Sequence, residues 1–133
     1  MAQKLLQANL NHCRASQDVF LHTMAERGSG LGVVAEPYWV PPGHPCWAVS
    51  RCGLAAVRWR LTSEPVACSR LESGDGFVAV RWSHVVVVSV YISPNVDVAR
   101  YERFLDDLTG CLARHPPGQQ VVVAGDFNAK SAL

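Results

Sequence analysis

The chain has 133 residues, 49% hydrophobic and 17% charged, without an excess of glycine or proline. That is the size and composition of one ordinary globular domain, and it argues against a disordered tail or a second complete domain. The formal charge of +1 gives no global signal for or against a polyanion, so any surface for nucleic acid has to be local.

In chain order, Lys4 to Leu10 (KLLQANL) reads as a first strand, and after a polar break RASQDVFLHTMAERG places Ala15, Val19, Phe20 and Met24 on one helical stripe, with Gly28 as the stop. GVVAE at 32–36 is a short buried strand ended by Pro37, and Pro41-Pro42-Gly43 marks an exposed loop. Strands are expected at Trp47 to Ser50 and Gly53 to Arg58, with a weaker run around Val66 to Leu71. GFVAVRW and HVVVVSVYI follow, joined at Ser83 and His84 as a hairpin. Strands this uniformly apolar are covered on both faces. After Pro94 the period becomes helical, with Val98, Tyr101, Phe104, Leu105, Leu108 and Leu112 in register until Pro116-Pro117-Gly118, and the last strand runs from Gln120 to Ala124. The order β-α-β, a run of strands, then α-β argues for a layered α/β fold with a mixed sheet and flanking helices.

Cys13, Cys46, Cys52, Cys68 and Cys111 are odd in number and contain no C-x-x-C pair, so neither a disulfide framework nor a zinc site is expected, and reduced thiols suit an intracellular protein. The histidines His12, His22, His44, His84 and His115 are scattered without metal-ligand spacing. No signal peptide is evident, and the longest apolar run, Val85 to Ile92 around Ser89, is far short of a membrane span, so a soluble protein is expected.

Polar residues recur at or just past the ends of apolar strands: Asn9 in LLQANL, Glu36 in VVAEPY, Tyr91 in VVSVYISPN, and Asp126 with Asn128 in VVVAGDFN. If the strands are neighbours, these groups meet at one rim, the usual place for a cleft in α/β proteins. Two carboxylates, two carboxamides and a phenol suit a hard divalent cation and a phosphate. Each also has an ordinary reading, because Asp-x-Asn makes turns, Glu36 precedes a proline, and Tyr91 could be a core aromatic with a wet tip.

The stretches LLQANLNHCRASQDVF, VVAEPY, VYISPN and VVVAGDFNAKS resemble the endonuclease/exonuclease/phosphatase superfamily of metal-dependent phosphodiesterases. They look most like the endonuclease domain of non-LTR (LINE-type) retrotransposons, over about Leu6 to Leu133. The resemblance implies that residues 1–133 are the amino-terminal portion of a four-layered α/β sandwich, truncated before its second half and carrying one sheet and part of its cover. It also implies a Mg²⁺ cofactor, with Mn²⁺ as a substitute, and DNA as substrate. Asn9 would help arrange the metal site and Glu36 would ligate the metal. Tyr91 would face the scissile phosphate, with Asn95 near it. Asp126 would position or deprotonate the attacking water, and Asn128 would contact the phosphate. In the full element the domain would be joined to a reverse transcriptase and act in the nucleus.

Members of that family continue with further strands, another catalytic aspartate and an Asp-His pair, to which no residue here corresponds by motif. A fragment or degenerate copy is therefore expected, poor in catalysis alone and prone to self-association through the bare sheet face. The first alternative is a non-catalytic remnant or interaction domain of the same fold. A phosphatase or small-molecule phosphodiesterase ranks below it. The loop from Trp39 to Trp47 is a candidate for target contact, with a packed cover as its plainer reading.

Overall fold

The computed structural model describes residues 4–60 and 66–128, so Ala129, Lys130 and Ser131 of the last quoted stretch lie outside the described residues. Ten elements follow in order: β1 (Leu5–Asn9), α1 (Arg14–Arg27), β2 (Leu31–Ala35), β3 (Trp47–Val49), β4 (Ala55–Trp59), β5 (Cys68–Ser73), β6 (Phe77–Trp82), β7 (Val85–Tyr91), α2 (Val98–Ala113) and β8 (Gln120–Asp126). Helix α1 ends where Gly28 turns left-handed at φ 67° and Ser29 N–H closes onto the Met24 carbonyl. Helix α2 begins at Asp97, whose side chain accepts from Arg100 N–H at 2.8 Å.

The strands form two four-stranded mixed sheets, with orders β1-β2-β4-β3 and β5-β6-β7-β8. In each, one parallel pair (β1 with β2, β7 with β8) joins antiparallel neighbours. This corrects the expectation of a single sheet with its second face bare. The interior between the sheets is built from Leu31, Val33, Val57 and Trp59 on one side and Val78, Val80, Trp82 and Val87 on the other. Phe20 and Met24 of α1 close the outer face of the first sheet over Val34 and Ala56, while Phe104 and Leu108 of α2 close the second over Ala79, Val86 and Val88. The four layers α-β-β-α are thus all present. Strands β6 and β7 are apolar at nearly every position because one face meets the opposite sheet and the other meets α2.

Strand β5 lies about two residues later than its apolar run suggests. It is an edge strand with a register shift between Arg70 and Glu72, and half-exposed side chains on one edge leave no clean period.

Alternation along each strand decides what faces the gap between the sheets. On β7 the inward positions are Val85, Val87, Ser89 and Tyr91; Ser89 is fully buried there and donates to the Val34 carbonyl across the gap. Inward positions on β8 include Ala124, two before Asp126, and on β1 Leu5, two and four before Gln7 and Asn9. Gln7 Nε2 donates to the Gly125 carbonyl at 3.5 Å, linking the two parallel edges.

Gly125 sits at φ 133° where a Cβ would lie 2.0 Å from the Val90 carbonyl oxygen. Gly125→Ala is expected to destabilise the fold by more than about 3 kcal/mol, the range of backbone strain combined with a core clash. A urea titration would show this as a lower midpoint at unchanged slope, and a midpoint within error of wild type would refute the tight approach of β8 to β7.

Candidate active site

Strands β1, β2, β7 and β8 all deliver their carboxyl ends to one end of the sandwich. The core of the site is a contact between sheets: the Tyr91 hydroxyl donates to Glu36 Oε1 at 2.8 Å. The Tyr91 ring lies against Ala35 and Ala55 of the opposite sheet and is 7% exposed. Asp126 is the register partner of Tyr91 in the β7–β8 ladder. Burial first, then the hydrogen bond and charge of Glu36, then the charge of Asp126, push the Tyr91 phenol up to about 12. Both carboxylates are therefore close enough to the phenol for their charge to be felt.

Glu36 is presented by a backbone turned left-handed, at φ 49°. Its N–H donates to the Leu54 carbonyl, and its own carbonyl accepts from His12 N–H at 2.9 Å. Four of the five non-glycine residues with positive φ among the described residues (Asn11, His12, Glu36 and Asn128) cluster at this rim. For a residue such as Glu36 that conformation costs about 1–2 kcal/mol, so surrounding structure has to hold it. Here the loop from Asn9 to His12 does so, through Leu10 N–H and His12 N–H onto the Ala35 and Glu36 carbonyls.

Asn9 pairs in register with Ala35, next to Glu36, and its Oδ1 accepts from Asn11 N–H at 2.8 Å. Asp126 Oδ1 likewise accepts from Asn128 N–H at 3.0 Å, and Asn128 Nδ2 donates to the Ile92 carbonyl at 2.7 Å. The turn chemistry expected of these residue types is thus present and coexists with convergence, because each side chain keeps acceptor capacity beyond its local bond. Between Asp126 and Asn128, Phe127 points the other way and packs edge-on against Phe104 of α2, while the Tyr101 hydroxyl donates to the Phe127 carbonyl. Asn95 makes no hydrogen bond to Glu36 or Asp126 among the described residues. It is exposed after β7 and lines, with Tyr91, Asp97, Arg100 and Arg103, a cleft of about 660 Å³ running toward α2.

Two neighbours carry no sequence signal of their own. His12 Nε2 lies 3.7 Å from Glu36 Oε1, and its Nδ1 is 3.3 Å from the Pro37 carbonyl. Gln17, 8% exposed on α1, accepts from Tyr38 and Trp39 N–H and donates to the Trp39 carbonyl. This fixes a loop that displays Tyr38 and Trp39 at 51% and 59% exposure immediately after Glu36 and Pro37. Trp47, at the other end of that loop, is buried, so the reading as a packed cover holds there and fails at Trp39.

This architecture is the endonuclease/exonuclease/phosphatase fold. Among solved structures it is similar to the endonuclease domain of TRAS1, a telomere-specific non-LTR retrotransposon, with a TM-score of 0.79 at 20% identity over 98% of this chain and 61% of that one. It is also similar to an AP endonuclease from Archaeoglobus fulgidus, with a TM-score of 0.66 at 16% identity over 96% of this chain and 58% of that one. The chain thus spans about three fifths of the length of either structure. No protein-family profile matches the sequence, and no curated protein matches it. Among the described residues, no helix is long and apolar enough to cross a membrane.

The raised Tyr91 gives a stability signature. The folded phenol keeps its proton above the ordinary value of 10.0, so the folded state binds more protons than the unfolded state between there and about 12. Its contribution is complete below about pH 10 and is lost as pH rises toward about 12. The unfolding free energy is expected to fall across that window, and the fall should shrink in Glu36→Gln, which leaves burial as the main cause. An identical pH profile in the variant would refute the coupling.

Proposed function

We propose that this chain is the amino-terminal part of a Mg²⁺-dependent endonuclease that nicks DNA, of the kind found in non-LTR retrotransposons, joined in the full-length protein to a reverse transcriptase and acting in the nucleus. The observation that carries this reading is the Tyr91–Glu36 hydrogen bond, with Asp126 and Asn9 on the adjoining strand ends, within a fold shared with the TRAS1 endonuclease domain.

The donor set fits a hard cation. Glu36 is the metal ligand of the proposal, Asn9 and Asp126 add oxygen donors beside it, and the same oxygens accept Mn²⁺. When bound, the ion supplies electrostatic stabilisation of the charge that develops on the phosphate and leaving oxygen. The chain's own groups do the rest. Tyr91 remains a neutral donor at physiological pH, and its single hydroxyl proton can be turned from Glu36 to a phosphoryl oxygen, which frees Glu36 Oε1. Asp126, with Oδ1 steadied by the Asn128 backbone, orients or deprotonates the attacking water. Asn128 and Asn95 contact the phosphate, and His12 steadies the Glu36 carboxylate.

The competing reading is a non-catalytic remnant or interaction domain, and it is favoured by the local structural role that Asn9 and Asp126 already fill as turn formers. Relaxation of supercoiled plasmid with Mg²⁺ separates the two. The intact protein containing this chain is expected to nick, with Asp126→Ala and Glu36→Gln each slowing it by at least about 100-fold at unchanged circular dichroism, and the 133 residues alone to show only a trace. An intact protein that nicks with no divalent cation present in any amount, or an Asp126→Ala variant as fast as wild type, would sink the proposal.

A further inference from the structure

A second group of ligand-bearing side chains lies on the outer face of the β5–β8 sheet, and it includes none of the residues at the rim. Glu72 of β5, Cys111 in the last turn of α2, and His115 just beyond it each offer a ligand atom, and the three atoms lie within 4.8 Å of one another. Local structure accounts for the convergence. Arg114 N–H and His115 N–H continue the helical turn onto the Cys111 and Leu112 carbonyls, so Cys111 and His115, four residues apart, fall on one side. The register shift between Arg70 and Glu72 lies immediately before the strand position that supplies the carboxylate.

Ordinary packing accounts for only part of this cluster. Arg114 holds Glu72 with two hydrogen bonds, of 2.5 and 3.0 Å, which would suffice to explain the carboxylate. It does nothing for the imidazole: His115 Nε2 is the one buried side-chain nitrogen or oxygen among the described residues without a hydrogen-bond partner. A buried donor or acceptor left unmatched is rare and calls for an unseen partner. Beside it, Cys111 is fully buried, and burial together with the neighbouring Glu72 holds its thiol protonated.

We propose that Glu72, Cys111 and His115 form a binding site for a thiophilic divalent cation of the Zn²⁺ class, which clamps the end of α2 to the edge strand β5. Thiolate, imidazole and carboxylate together are zinc ligands, whereas Mg²⁺ selects oxygen, so this site and the rim are chemically separate. Three protein ligands leave a fourth position for water. Binding replaces the thiol proton, which passes to solvent as the Cys111 sulfur–metal bond forms. Arg114, with its side chain 59% exposed, swings out into water and yields Glu72. The proposal is independent of the nuclease reading.

Co²⁺ is the probe, because a cobalt–thiolate bond absorbs in the near ultraviolet, and Zn²⁺ competition gives the affinity. One equivalent is expected to develop the band and raise Tm. His115→Ala should weaken binding at least tenfold, Cys111→Ala should abolish the band, and Glu36→Gln should leave it unchanged. Arg114→Ala should tighten binding several-fold by removing a competing cation, a gain that a purely structural salt bridge would not produce. Because Cys111 is in the core, His115→Ala decides the matter if Cys111→Ala fails to fold. No band in wild type, a band that survives both substitutions, loss of the band in Glu36→Gln, or unchanged or weaker binding in Arg114→Ala would each overturn the site.

Discussion

The hydrogen bond from Tyr91 to Glu36 is the point on which the arrangement of the site depends, because it joins the two sheets at the rim, at the end of an interior that is mainly apolar. Apolar packing is weakly directional and fixes the sheets' separation better than their relative slide. A buried phenol that must find an acceptor fixes the slide at one end. The Ser89 hydroxyl adds a second polar tie farther down the same face of β7. Once these are made, the register of the β7–β8 ladder sets Asp126 beside Tyr91, and the β1–β2 ladder sets Asn9 beside the residue before Glu36.

Much of the fold was legible because its strands are short, valine-rich and cleanly punctuated, as in Val85 to Tyr91 and the two-residue turn that precedes it. The number of sheets was not. Burial along Phe77 to Trp82, broken only at Arg81, shows that both faces are covered, and it is silent on whether the cover is a helix, a second sheet or another chain. The covering strands β1 to β4 were themselves readable, but nothing in the residues of β4 or β6 states that these two belong to different sheets.

For the site, the strand-end polar residues were visible because their position breaks an apolar run. His12 and Gln17 were not, since each acts through backbone geometry: His12 through a left-handed turn that folds it back over β2, and Gln17 through amide contacts to a loop twenty-odd residues away. The cluster of Glu72, Cys111 and His115 escaped for a related reason. Cys111 and His115 have a serviceable helical spacing, but the third member comes from a strand far off in sequence, and only the packing of α2 on β5 supplies it.

Phe127 has a wider consequence. Its ring is anchored among the aromatic side chains of α2, and its carbonyl is held by Tyr101, while the residues on either side of it turn toward the rim. Asp126 and Asn128 are therefore poised by a helix that touches neither of them through its polar face. Drift in the buried residues of α2, at Phe104 or Leu108, would reach the rim as a change in poise while every polar side chain there stayed the same. Two related sequences with identical rims would then hold those rims differently because of their helices, and a census of rim residues would rank them as equals.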